Sequence, residues 1–387
     1  MSAKSNDAQE LIVNPSFESG DTSPNGWKTY AGAKFGDYTW EGHGYDGDMC
    51  VSVSGRLNEY HGGWMQVVNL APNKLYRIRG YAKGAVTAGR AVVCMLEVED
   101  AKGRFYSFPA GTLTGTRNWR LYEGYAVCPS TLKSATFYAI LLYGAGKVSA
   151  DKVSLKMVEP FVVAKGENAV IGMQGALFRF TPDGSIVVWG DGVNGARLNF
   201  SARLGEKNWL TANGFKSLSV TADTDERKAI SVCYQLVERH TKRPRRDCYL
   251  RCTVEAKLVD DIPCLLVHSE LLNIGVAPIN AYMFYHLRAV AVILPSGQRI
   301  PLNKWGGLTR ATCYIIELRG REDKRAPYRM GMIPVGSIID RGPKHINVFA
   351  PQFKMTLKRK QALSLKYAIA ITSDMEQLRK VKNSPMK

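Results

Sequence analysis

Helical periodicity is what this sequence has least of. Across 387 residues no window sustains apolar positions at three- and four-residue spacing, and the best candidate is the tail around residues 375–382. Long apolar runs are also missing, which excludes a chain that crosses a bilayer by helices. The first nine residues are polar and carry no apolar secretion core. Two compartments therefore stay open: the cytoplasm, or an extracellular or periplasmic space if a leader has been removed. None of the eight cysteines forms a Cys-x-x-Cys pair, and no close ligands follow Cys248 and Cys252, which excludes a zinc knuckle. Several cysteines sit in apolar runs, such as Cys94 in AVVCMLEV and Cys233 in ISVCYQLV, and read as buried free thiols. There is no phosphate-cradling glycine loop and no Gly-x-Ser-x-Gly elbow. The aromatic–basic interleaving of an RNA-binding strand pair is absent, which argues against nucleic acid as a partner.

What is present is strand signal. AVVCMLEVE, TFYAILLY, AISVCYQLV, CLLVHSELL, AVAVIL, CYIIEL and LSLKYAIAI are short and rich in β-branched and aromatic residues. Turn residues bound them, as at Pro72-Asn73, Pro182-Asp183-Gly184 and Pro295-Ser296-Gly297. The pattern predicts an all-β chain of sandwich or barrel type. Pro160 follows a last strand-like run and a new apolar run opens at Phe161. The expected organisation is a flexible N-terminus over residues 1–10, a first domain over 11–160 and a larger second domain over 161–387.

Charge divides at the same place. The net charge is +18, of which residues 1–160 hold +2 and residues 161–387 hold +16. A field of this size attracts polyanions, although a basic surface also serves solubility alone. The densest run, RHTKRPRRD at residues 239–247, reads as a hairpin loop. Its Arg243, Arg245 and Arg246 are candidate anion ligands, because guanidinium forks suit sulfate or carboxylate groups. The runs at residues 319–325 and 358–360 add to it. The alternative is an ordinary solvated turn.

Residues 11–158 resemble the jelly-roll carbohydrate-binding modules found beside xylanases and laminarinases. The resemblance rests on ordered segments: LIVNPSFESG from Leu11, Gly26-Trp27, YDGDMCVSV from Tyr45, YHGGWMQVV from Tyr60, KLYRI from Lys74 and SADKVSL from Ser149. It implies a sugar stacked on aromatic faces, since pyranose C–H groups pack on Trp or Tyr while rim polar groups bond the hydroxyls. Tyr38, Trp40, Tyr60 and Trp64 are the candidate platform, with Glu97 and Tyr138 on strands of the same sheet. Trp27 and Trp119 read as core. It also implies a structural Ca2+ held by Glu18 and Asp151, which lie near the two chain ends of one sandwich, where such ends meet, with loop carbonyls completing the oxygen set. Against that, Lys152 stands where a second acid is common, and either carboxylate could instead pair with a nearby Lys or Arg.

Residues 161–387 resemble the supersandwich of galactose-mutarotase-like proteins. Here the segments are GALFRFTPDGSI from Gly175, LVDDIPCLLV from Leu258, LNIG from Leu272, YMFYH from Tyr282 and LSLKYAI from Leu363. The resemblance implies an acid–base pair about an anomeric carbon, with His286 as the acid and His268 and Glu270, two apart on one strand face, completing the set. The family's basic Glu has no counterpart in VFAPQ at residues 348–352. A lyase would instead ask Tyr285, His286 and Arg288 to serve. The favoured reading is a protein that binds an acidic or sulfated polysaccharide. A carbohydrate-active enzyme (epimerase, polysaccharide lyase or glycoside hydrolase) and a structural or adhesive surface protein are the alternatives.

Overall fold

The computed structural model describes residues 9–31, 36–56, 61–166, 168–205, 208–302, 306–307, 313–318, 327–335, 338–342, 345–349 and 355–383. Most of the expected flexible N-terminus, with Tyr60 and the run at 319–325, lies outside these residues except at residues 9 and 10. The chain is all-β, as its strand signals predict, and divides into two compact units, Met1–Glu159 and Pro160–Lys387. No disulfide joins the eight cysteines, and all but Cys233 are buried.

The first unit has seven strands: β1 (Lys28–Ala31), β2 (Gly36–Gly42), β3 (Met49–Gly55), β4 (His61–Val67), β5 (Leu75–Asp100), β6 (Phe105–Val127) and β7 (Leu132–Val158). β5, β6 and β7 are long enough to run through both layers of a sandwich. The first half of β7 pairs with β4, and β4 with β1. Its second half pairs with β3, and β3 with β2. β5 lies against β7 along its whole length, with β6 on its far side. One sheet is therefore β1-β4-β7-β5-β6 and the other β2-β3-β7-β5-β6. The long strands turn the corner at glycines: Gly84 and Gly89 on β5 face Val148 and Gly144 on β7. A Cβ at Gly89 or Gly144 would meet a partner carbonyl oxygen at 2.0 or 2.1 Å, and both have positive φ, so a side chain there is excluded twice.

Between the sheets lie Phe17, Trp27, Val53, Trp64, Ile78, Leu96, Phe108, Phe137 and Leu155, each at most 5% exposed. Each such burial contributes roughly 1.5–3 kcal/mol. The chain start is pinned to the end of β7: Leu11 N–H donates to Leu155 O at 3.0 Å, and the Glu10 carboxylate accepts from Leu155 N–H at 2.8 Å.

In the second unit the antiparallel strands close on themselves. Val193–Leu204 pairs with Asn208–Asp223, and pairing continues through Lys228–Glu238, Pro244–Val259, Ile262–Asn273, Ala362–Ala370, Tyr328–Pro334, Tyr314–Leu318 and Ile279–Ile293, back to Val193–Leu204. Alternation along these strands puts Val254, Val267, Leu271, Met283, Tyr285, Leu365 and Tyr367 inside. The one α-helix among the described residues is Met375–Asn383. Asp374 caps it, accepting from Glu376 N–H at 2.7 Å, and its Leu378 and Val381 are buried.

Candidate functional site

The outer face of the β1-β4-β7-β5-β6 sheet carries an apolar and aromatic cluster of its own. Val92, Met95, Tyr138 and Leu141 form its floor, and Tyr30, Met65 and Tyr143 pack around them. Register explains how they meet. Across β4, β7 and β5 the outward rows are His61–Tyr143–Arg90, Gly63–Leu141–Val92 and Met65–Tyr138–Met95, followed by Thr136–Glu97. Tyr138 and Tyr143 are five apart, and Val92 and Met95 three apart, so strict alternation would put each pair on opposite faces. A local irregularity restores them to one side: between the Val93–Ile140 and Met95–Tyr138 pairs lie Cys94, at φ 45°, and Ala139.

Gly63 puts no side chain in the outward row between His61 and Met65. It pairs with Tyr30 on β1, and a Cβ there would sit 1.9 Å from Ile140 O. The Tyr30 ring meets His61 edge-on at 5.1 Å and Tyr138 at 5.7 Å. His61 stacks on Tyr143 with centroids 4.3 Å apart and planes at 21°. The Arg90 guanidinium lies 5.8 Å over the Tyr143 ring. Burial pushes the Tyr138 hydroxyl well up, and the Glu97 carboxylate adds to the shift. The Tyr138 phenol is therefore neutral at neutral pH, on a face that also carries the Glu97 and Arg90 side chains. Rings supply stacking faces, and the polar groups can bond hydroxyls.

Of the expected platform, Glu97 and Tyr138 lie on this face. Trp64 does not: it is 4% exposed, with its indole N–H bound to Ser52 O at 2.9 Å inside the sandwich. Tyr38 and Trp40 are also corrected. They alternate with the exposed Asp37 and Thr39 and turn inward at the sandwich edge. There Tyr38 Oη donates to Tyr30 O at 2.8 Å and Trp40 Nε1 to Phe17 O at 2.8 Å. Tyr60 lies outside the described residues. Trp27 is core, 5% exposed. Trp119, expected as core, is half-buried with the Lys83 ammonium 4.6 Å over its ring. Tyr30, His61, Tyr143 and Arg90 were not anticipated.

Glu18 and Asp151 do converge, on the loop before β3. Asp151 is fully buried and accepts from Tyr45 N–H at 2.6 Å and Asp46 N–H at 2.9 Å. Glu18 accepts from Asp48 N–H at 3.3 Å and Met49 N–H at 3.0 Å. Among the described residues neither carboxylate is in a salt bridge; Lys152 pairs with Asp46 instead, at 2.7 Å. Burial raises the Asp151 carboxyl above its ordinary value despite three backbone donors, and the Glu18 charge raises it further.

The catalytic set expected in the second unit is not assembled. His268 sits in register between Thr253 and Lys366, and His286 between Asn199 and Asn347, on strands that do not pair with each other. His268 Nε2 is 2.8 Å from Ser364 Oγ, and burial depresses its pKa, against the Glu270 charge. Glu270 Oε2 is bound by Arg251 at 2.8 and 2.7 Å. Tyr285 cannot join His286 and Arg288, because alternation points it into the core, where its hydroxyl lies 3.0 Å from Ser269 Oγ. In the basic hairpin, Arg245 is consumed by Asp247 at 2.8 Å and Glu238 at 3.2 Å, which corrects its assignment as an anion ligand. Arg243 and Arg246 are exposed.

The model of the family described as "Carbohydrate binding domain" matches residues 9–143, within the first unit. No curated protein matches the chain. Among solved structures, the CBM22-1 xylan-binding domain of Paenibacillus barcinonensis Xyn10C is 22% identical, with 39% of this chain and 96% of that one covered and a TM-score of 0.31. The C-terminal family 22 module of Clostridium thermocellum Xyn10B is 18% identical over 38% and 92%, at 0.31. The tandem CBM22-1-CBM22-2 domain of the Paenibacillus protein is 12% identical over 96% and 92%, at 0.32.

Proposed function

We propose that the protein is a polysaccharide-binding protein whose first domain holds the saccharide along the groove between Tyr30, His61, Tyr143 and Glu97. The observation that carries this is an aromatic cluster on the outside of a sandwich whose core is already filled. Its floor is at most 7% exposed, while the half-buried rings of Tyr30 and Tyr143 stand around it and give a ligand that offers ring C–H faces and hydroxyls something to pack on. The charge of the second unit supports an acidic or sulfated polymer as the preferred ligand, with the exposed Arg243 and Arg246 contributing to a general attraction.

Calorimetric titration of the full chain with xylohexaose, laminarihexaose and oligogalacturonate at low and high salt tests both parts. Tyr143→Ala is expected to weaken binding in the groove at least tenfold while leaving the melting temperature nearly unchanged. Oligogalacturonate affinity is expected to fall with salt more than that of a neutral probe. Unaltered binding by Tyr143→Ala removes the groove from consideration, and equal salt dependence removes the acidic preference.

We further propose that Glu18 and Asp151 hold a Ca2+ ion. Two carboxylates that converge on the loop before β3 and make no salt bridge among the described residues are oxygen donors of the kind a hard cation takes. The linkage has a definite sign. An acid whose folded pKa is raised above 3.8 adds stability only while protonated, and that contribution is lost as pH rises through the folded value. At neutral pH ionised Asp151 is a cost, which a bound cation offsets. Excess EDTA is therefore expected to lower the melting temperature of the first domain by several degrees at pH 7, and Ca2+ to restore it. The difference should shrink as pH falls and Asp151 takes up a proton. Identical melting curves with EDTA and with Ca2+ at pH 7 exclude the ion.

A further inference from the structure

The opposite sheet of the first domain carries another set of rings. Tyr45, in the loop before β3, stacks on Tyr81 of β5 with centroids 3.6 Å apart and planes at 12°. Trp119 of β6 meets Tyr45 at 6.0 Å and 64°, so the two rings form a corner. Lys83 Nζ stands 4.6 Å over the Trp119 ring and donates to His43 O at 3.2 Å. Tyr45 is 44% exposed, and Leu121, in register with Tyr81, is 37% exposed. These rings belong to the outward side of the β2-β3-β7-β5-β6 sheet and take no part in the sandwich core.

We infer that this corner is a second saccharide-binding shelf, taking one pyranose ring of an oligosaccharide against Tyr45 and Trp119 with Lys83 bonding its hydroxyls. Three properties argue for it. The shelf is held in place before any ligand arrives. The Tyr45 backbone N–H is bound at 2.6 Å by a fully buried Asp151, and the ring rests on a strand residue. A preorganised side chain loses little freedom on binding. Next, the rings meet at an angle, which presents one flat face and one wall to a chair-shaped sugar, and the ammonium supplies donors at the rim. Last, the patch is small. Three rings, a lysine and a leucine fall far short of the roughly 20–30 residues a side that a stable protein interface uses, so a partner chain or a second copy is the poorer fit. With shelves on both faces, the domain grips two chains, or two stretches of one polymer, and gains avidity on a polymeric ligand.

The inference does not rest on the groove described above, and one experiment separates them. The full chain is titrated by calorimetry with xylohexaose, cellohexaose, laminarihexaose, β-1,4-galactotriose and oligogalacturonate, while the Trp119 indole N–H resonance is followed by NMR. Two equivalents of at least one probe are expected, with a saturable shift of that resonance. Tyr45→Ala/Trp119→Ala should remove one equivalent and leave the other within twofold in affinity, and Tyr143→Ala should do the converse. Trp119→Phe, which keeps a ring, should retain weakened binding, with an unchanged melting curve certifying the fold. If Tyr143→Ala alone abolishes all binding and the Trp119 resonance never moves, the second shelf is overturned and the groove stands. If the double variant abolishes all binding and Tyr143→Ala is silent, the shelf stands and the groove falls. If the intact chain binds no probe, both are overturned.

Discussion

Asp100→Ala is expected to destabilise the first domain by about 3–5 kcal/mol, the range for breaking a buried ion pair from one side. Asp100 has no exposed side-chain surface and Arg104 has 6%. One carboxylate oxygen accepts the backbone N–H groups of Lys102 and Arg104, each at 2.9 Å; the other accepts Arg104 Nε at 2.6 Å and Tyr106 Oη at 3.0 Å. Alanine removes the guanidinium's carboxylate and leaves two turn N–H groups unmet, in the hairpin that sets the β5–β6 register. Such a loss is a large fraction of the 5–15 kcal/mol typical of a whole domain. Chemical denaturation of the full chain, read through tryptophan fluorescence, should show the first domain's midpoint fall steeply. Asp100→Ala/Arg104→Leu should recover part of the loss, because the stranded charge is gone. A loss below 1 kcal/mol for Asp100→Ala counts against the ion pair as a keystone of this hairpin.

The same carboxylate gives a pH dependence opposite to that of Asp151. Burial alone would raise Asp100, but the backbone and side-chain bonds from Arg104 outweigh it and hold the carboxyl below its ordinary 3.8. A depressed acid contributes stability that is present above the unfolded pKa and lost as pH falls through the folded value. Acid unfolding of wild type should therefore carry an Asp100 component below about pH 3.8 that the Asp100→Ala variant lacks.

Much of the architecture is legible in the residues. Strand runs, turn residues and Pro160 mark an all-β chain with a break where the contacts divide, and the tail at residues 375–382 falls within the one described helix. Which side of a strand faces out is not legible, and the physical cause is specific. In YHGGWMQV the two alternating sets are His61, Gly63, Met65 and Gly62, Trp64, Gln66. Both faces of this sheet bury apolar side chains, one in the core and one in the groove, so hydrophobicity does not tell them apart. Trp64 is the largest flat ring of the run, yet it faces inward with Gln66, which donates to the Val13 and Gly26 backbone oxygens at 3.1 Å each. On β5 and β7 the irregularity at Cys94 and Ala139 flips the parity midway, which no period-two reading from one end can anticipate. His268 and Glu270 do share a strand face, as spacing requires; their separation from His286 is a matter of which strands become neighbours, and spacing along one strand carries no information about that.

Trp64→Ala distinguishes a core tryptophan from a binding one, and its expected result is unfolding. The variant removes a 4% exposed indole that meets Tyr38 edge-on at 6.3 Å and donates to Ser52 O, at an expected cost of about 3–5 kcal/mol. Saccharide affinity should disappear only to the extent that the domain unfolds. At low temperature, or with a stabilising concentration of sucrose, the folded fraction should bind with wild-type affinity, since Trp64 lies on the opposite side of β4 from His61 and Met65. Tyr143→Ala should show the reverse: a melting curve close to wild type and a groove that no longer holds its ligand. Trp64→Phe should fall between the alanine variant and wild type in stability and match wild type in affinity. A Trp64→Ala protein that melts like wild type but fails to bind would place the indole in the groove and invert the assignment of the two faces. The physical basis for expecting otherwise is that one strand can present a residue to the core or to a ligand, and the hydrogen bond from Trp64 to Ser52 on β3 ties it to the interior.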